Sequence, residues 1–166
     1  MRRGRRPLKE RAVLDDRERH EIEAEIAKYP VKQAAAPEAL KIVQKYRGWV
    51  SDEALGDVAR FLGMTEDELD SVATSYNLIF RKPVGRHVIL MCDSVSCWLM
   101  GHERMYERVR QRLGIVFGQT TPDRRFTLLP ISCAGACDKA PVMIVDETLY
   151  VQLDSSKIDA ILEEYA

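Results

Sequence analysis

Four cysteines, Cys92, Cys97, Cys133 and Cys137, constrain this chain more than any other feature, and it contains no others. They form two pairs, each opening a turn that leaves an expected strand. C-D-S-V-S-C follows an apolar run at 87–91, and C-A-G-A-C follows a second at 126–131. Two loops therefore offer four thiolates to one centre.

Three chemistries compete for them. With no secretion signal read ahead of the pairs, and 166 residues available to build a core, a disulfide framework is disfavoured in a reducing compartment. Structural zinc accepts all-cysteine sites with pairs at these separations. A two-iron cluster is a larger object, and it suits wide loops whose amides reach the sulfurs better than a tight C-x-x-C knuckle does. Gly135, midway along the second loop, lets the backbone come close or take positive φ. Spacing and loop composition leave zinc and iron-sulfur both open.

Hydrophobic residues make up 46% of the chain and charged residues 31%, ordinary values for one globular domain or two small ones. No stretch reaches the ~18 apolar residues of a membrane span. Residues 2–11 carry a balance of +5, leaving −6 for the rest of a chain of net charge −1. The arginine pairs at 2–3 and 5–6 resemble an export or transit signal, but no apolar region comes after them and acids appear quickly. A solvated, disordered arm over residues 1–14 is the expectation.

The segment 15–82 reads as a helical bundle. After a charged helix at 15–28 closed by Tyr29-Pro30, three stripes recur at i, i+3, i+4 and i+7. They are Ala39, Ile42, Val43 and Tyr46; Leu55, Val58, Ala59 and Leu62; and Leu69, Val72, Ala73 and Tyr76. Pro37 suits a first helical turn, Gly48 and Gly63 suit C-caps, and Thr65 with Glu68 forms a capping box. From residue 83 the period changes. A strand at 87–91 is followed by the first cysteine loop, one helix at 98–113 and a turn at 121–123. A strand at 126–131, the second cysteine loop and a hairpin of 142–145 with 149–153 come next, and Ser155 or Ser156 caps a last helix. The order β-α-β-β-β-α is an α/β sandwich, with both cysteine loops at the C-terminal ends of strands, where α/β sheets usually place their sites.

Several further matches are spaced along the chain: Ala39-Leu40, Val43-Gln44 and Gly48-Trp49-Val50; Val72-Ala73-Thr74 and Tyr76; and Pro83-Val84-Gly85-Arg86-His87. Leu113-Gly114-Ile115, Gly118, Thr120-Thr121, Phe126-Thr127-Leu128 and Ala140-Pro141-Val142-Met143 continue the series. With the two cysteine pairs, these residues from about Ile22 to the C-terminus resemble the family of E subunits of bacterial NADH-quinone oxidoreductase, or complex I. The resemblance implies an α+β protein, an N-terminal helical bundle followed by a thioredoxin-like α/β domain over 83–166. That domain would carry one [2Fe-2S] cluster on Cys92, Cys97, Cys133 and Cys137. It further implies single-electron transfer, with no activity for the chain alone, and FMN and NADH bound on a partner flavoprotein subunit. A large iron-sulfur subunit of the peripheral arm would be the second partner. The resulting location is the cytoplasmic face of the inner membrane, with membrane association only through the complex.

Three positions depart from the family pattern: Ser94 and Arg124 where glycine is usual, and Ser75 where an aromatic commonly precedes Tyr76. No G-x-G-x-x-G or Walker loop is present, so a nucleotide site on this chain is not expected. His87 and His102 lie near the cysteines, but four thiolates already complete the site, so both are expected at the surface or in hydrogen bonds. Trp98 would either shield the cluster or pack its helix. Met91, Met100 and Met143 are expected to fill core. Two rival functions remain. A redox-sensing DNA-binding regulator is opposed by Glu66, Asp67, Glu68 and Asp70, which would repel phosphates at a recognition helix, so no nucleic-acid partner is expected. The small subunit of an NAD-linked hydrogenase or formate dehydrogenase shares the fold and cluster.

Overall fold

A computed structural model describes residues 14–165. The basic arm lies outside the described residues except for Leu14, which is buried in a helical core rather than solvated. The chain divides into two compact units between Pro83 and Val84.

The first unit contains α1 (Asp16–Ile26), a 3-10 turn (Lys32–Ala35), α2 (Ala36–Arg47), α3 (Asp52–Leu62) and α4 (Glu66–Ser75). Local chemistry sets these limits. Asp15 and Thr65 each accept from the amide three residues on, and Glu18 and Glu68 reach back to complete two capping boxes. Such caps contribute about 1 kcal/mol each. The stripes converge on one core in which Ile22, Leu40, Val43, Leu62 and Leu69 are fully buried, each stabilising by about 1.5–3 kcal/mol. Ala36, Ala39, Ala54, Ala59 and Ala73 lie in the same core, where small side chains let helices approach. Two expected stripe members do not join it: Tyr46 and Tyr76 are exposed. Tyr46 turns its hydroxyl to Glu21, and Tyr76 is already past the end of α4. Glu18, 1% exposed, is held by Arg47 through two bonds of 2.6 Å.

The second unit runs β1 (His87–Cys92), α5 (Val95–Leu99), α6 (His102–Leu113), β2 (Gln119–Thr120), β3 (Phe126–Ile131), a 3-10 turn (Cys137–Lys139), β4 (Met143–Val145), β5 (Thr148–Tyr150) and α7 (Ser155–Glu164). Its sheet has the order β2-β3-β1-β4-β5. β1 and β3 are parallel and in register from His87↔Phe126 to Cys92↔Ile131, and the remaining pairings are antiparallel. Alternation puts Ile89, Met91, Phe126, Leu128, Met143 and Val145 in one core with Met105, Val109, Ile158, Ile161 and Leu162 of α6 and α7. Gly85 sits against the chain before β3, where a Cβ would meet backbone atoms of Arg124 and Arg125 at 3.0 Å.

The differences from the expected elements are local. The helix expected over 98–113 breaks at Gly101, whose φ of +104° is left-handed, so α5 and α6 are separate. β2 is an additional fifth strand, too short at two residues to show an alternating pattern. The hairpin turns on Asp146 and Glu147 alone, because Val145 pairs with Thr148, and β5 stops at Tyr150. Asp154, not a serine, caps α7 by accepting from the Lys157 amide. Met91 and Met143 fill core as expected, whereas Met100 is 63% exposed.

Candidate metal centre

The register of β1 and β3 brings the two cysteine loops to one end of the sheet. Cys92 is the last residue of β1, paired with Ile131 at the end of β3, and Cys133 follows two residues later. Parallel neighbours end at the same edge of a sheet, so both loops leave from one place. The Asp93 amide donates to the Ile131 carbonyl at 3.1 Å and the Cys92 amide to the Val142 carbonyl at 3.3 Å, tying the first loop to both flanking segments.

The two pairs differ in environment. Cys92 and Cys97 are buried, while Cys133 and Cys137 are exposed. Cys97 lies within α5, whose N-cap Ser94 has φ −73°. That is extended backbone, so serine at this position costs the loop no strain. In the second loop Gly135 takes φ +78°, as its placement suggested, and its amide donates to the Cys133 sulfur at 3.4 Å. No protein atom would contact a Cβ at Gly135, so glycine is required by conformation rather than by space.

The Cys133 and Cys137 sulfurs are 3.8 Å apart, close to the ~3.8 Å edge of a tetrahedron whose metal-sulfur bonds are about 2.3 Å. Burial, and then the neighbouring Cys92 thiol, push the Cys97 thiol up to about 11, while the Val142 backbone pulls the other way. The Cys137 thiol is raised by its bond to Cys133, against the Ser96 hydroxyl, which lowers it. A cation bound by these thiols would take the place of their protons, so metal binding at this candidate site would release protons. Among the described residues, no three His, Cys, Asp or Glu side chains converge tightly enough for a single metal ion. The thiols stand as two pairs.

Around the centre, Val95, Trp98, Leu99 and Met100 are 57–70% exposed. Trp98 therefore does not pack into a core. His87 bonds Asp146 at 2.7 Å, away from the thiols. His102 is buried, with Nδ1 2.9 Å from the Cys92 carbonyl oxygen. Ser96 and the Val142 backbone join the centre without having been expected there. A hydroxyl beside Cys97 is a visible signal, but a backbone group 45 positions along the chain from that cysteine carries none.

The family model for thioredoxin-like [2Fe-2S] ferredoxin matches residues 22–166. The E subunit of NADH-quinone oxidoreductase from Pseudomonas aeruginosa is 46% identical over 156 residues, covering 94% of this chain and 94% of its own. The protein of the same name from Escherichia coli K12 is 46% identical over 165 residues, 99% of each. Among solved structures, an NAD+-reducing [NiFe]-hydrogenase in the air-oxidised state superposes with a TM-score of 0.67 at 25% identity over 79% of this chain. This chain spans 22% of that hydrogenase chain.

Proposed function

The chain belongs to the thioredoxin-like [2Fe-2S] ferredoxin family, and from that premise we propose that it is the electron-transfer subunit of an NADH-quinone oxidoreductase. In this reading Cys92, Cys97, Cys133 and Cys137 hold the cluster beside the FMN of a flavoprotein subunit, which binds NADH. A large iron-sulfur subunit completes the immediate assembly.

The observation that carries the reading is the meeting of two thiol pairs at the ends of adjacent parallel strands, two buried and two exposed. Four thiols offered as two pairs, the exposed one with its sulfurs 3.8 Å apart, suit the two irons of such a cluster. A [2Fe-2S] cluster supplies one-electron chemistry when bound. The chain supplies the rest. Cys92 and Cys97 anchor from the core, Gly135 offers its amide to Cys133, and the Ser96 hydroxyl faces Cys137. Such donors stabilise added negative charge and so set the potential. Exposure of Cys133, Cys137 and the apolar stretch from Val95 to Met100 leaves the centre open to a partner. No described helix is long and apolar enough to cross a membrane; in this reading the chain meets the membrane through the complex.

A second reading, the equivalent subunit of an NAD-linked hydrogenase, has the hydrogenase superposition in its favour. The 46% identity over nearly the whole chain favours the first. Anaerobic purification with iron, zinc and sulfide analysis tests the centre: two irons and two labile sulfides per chain, with a rhombic S = 1/2 signal on reduction, are expected. One zinc without sulfide overturns it. Affinity purification from the native cell separates the two complexes by whether quinone reductase or hydrogenase subunits accompany the chain.

A further inference from the structure

The cysteine sulfurs are not the only part of the centre that the fold constrains. His102 is 9% exposed, and its Nδ1 lies 2.9 Å from the carbonyl oxygen of Cys92, ten residues earlier in the chain. A carbonyl only accepts, so the ring must carry a proton on Nδ1.

The route to this contact is built into the chain. Gly101, at φ +104°, follows the Met100 C-cap of α5 and is the N-cap of α6, which makes His102 the first residue of α6. A continuous helix would have no such break with which to redirect position 102. The ring is then fixed by aromatic neighbours. Tyr106 stacks on it at 6.2 Å with planes 5° apart, Phe117 at 6.3 Å and 15°, and these two rings stack on each other at 4.5 Å. A buried imidazole held by stacking and spending its donor on one carbonyl is pre-organised for that carbonyl.

We infer that His102 is a positioning residue for the iron-sulfur centre: its Nδ1–H pins the end of β1 so that Cys92 presents its sulfur in one orientation. The inference rests on the ligand assignment proposed above. The contact has two consequences. Cys92 is one of the two buried ligands, and the restraint on its backbone slows its release from iron. The positive end of the N–H dipole points at the ligand residue, favours the more negative reduced state, and raises the potential. Neither requires His102 to touch the metal, and it is not a catalytic residue.

Two variants of the full chain, prepared anaerobically beside wild type, separate the donor from the ring. His102→Phe keeps a planar ring for Tyr106 and Phe117 and removes the donor. His102→Asn gives up the ring and keeps a short-reach N–H. The readouts are iron and sulfide content, the midpoint potential by EPR-monitored titration, the g values of the reduced state, and the rate of iron loss to a chelator. His102→Phe should lower the potential, alter the g values and release iron several-fold faster while circular dichroism keeps its helical signal. His102→Asn should restore all three towards wild type. A Phe variant that matches wild type throughout overturns the inference, as does an Asn variant as perturbed as Phe, because ring packing would then be the only role. If Phe accumulates no cluster, an Asn variant with wild-type values supports the donor, and an equally empty one overturns it. Wild type without iron and sulfide sinks the ligand assignment itself, a failure visible before any variant is compared.

Discussion

The amide of Gly135 points at the sulfur of Cys133 across 3.4 Å, and the residue reaches this position only with φ +78°. A β-branched residue resists that region, with strain of about 1–3 kcal/mol. Gly135→Val should therefore lose or shift the cluster signal while circular dichroism still reports the helical first unit. Gly135→Ala, with the same conformational cost but less bulk, should show a milder form of the defect. Full occupancy with an unaltered potential in the Val variant would show that the loop does not depend on this conformation.

Arg124 and Gly85 invite opposite tests beside β3. Arg124 has φ +57°, where a residue with a Cβ is strained by roughly 1–2 kcal/mol. After the added entropy of the unfolded chain, Arg124→Gly should stabilise by about 0.5–1 kcal/mol. Gly85→Ala places a Cβ 3.0 Å from the backbone of Arg124 and Arg125, and overpacking of this kind costs about 1–3 kcal/mol. Urea unfolding of the two single variants should give shifts of opposite sign.

Glu18 is almost fully enclosed and depends on Arg47 for its charge pairing. Arg47→Met leaves that carboxylate without its cation, and removing one partner of such a pair costs about 3–5 kcal/mol when both are buried. Since Arg47 is 27% exposed, about 2–4 kcal/mol is the expectation. Replacing both, with Glu18→Gln added, should recover part of the loss. A single variant that unfolds at the wild-type urea concentration would contradict this.

Asp159 accepts from Arg108 between α7 and α6, and that guanidinium holds its carboxyl below the usual carboxylate range. A carboxylate depressed in the folded state contributes stability above its unfolded pKa, and the contribution disappears as pH falls through the folded value. Asp159→Asn should therefore lower the melting temperature at pH 7 by more than at pH 3. An equal loss at both pH values would exclude the ion pair as the cause.

Asp154 rather than a serine caps α7. Asp154→Ala should cost about 1 kcal/mol, whereas Ser155→Ala should leave unfolding nearly unchanged.

By itself the sequence determined much of this protein, because the relevant physics is local. Apolar stripes at helical spacing, the Asp15 and Thr65 caps, and the glycines at 48 and 63 specify the helices through neighbours within one turn. The apolar run of β1 and the turn signals around β3 did the same for the strands, and the cysteine spacing marked the candidate ligands. What only the tertiary structure decided depends on residues far apart in the chain. The register that pairs Cys92 with Ile131 brings the two cysteine loops to one edge of the sheet, with one thiol pair buried and the other exposed. The break at Gly101 was not legible, since a single glycine in an amphipathic pattern is compatible with a continuous helix until packing selects φ +104°. That choice brings the His102 ring under the Cys92 carbonyl, a contact between an imidazole and a backbone oxygen for which side-chain spacing alone has no code.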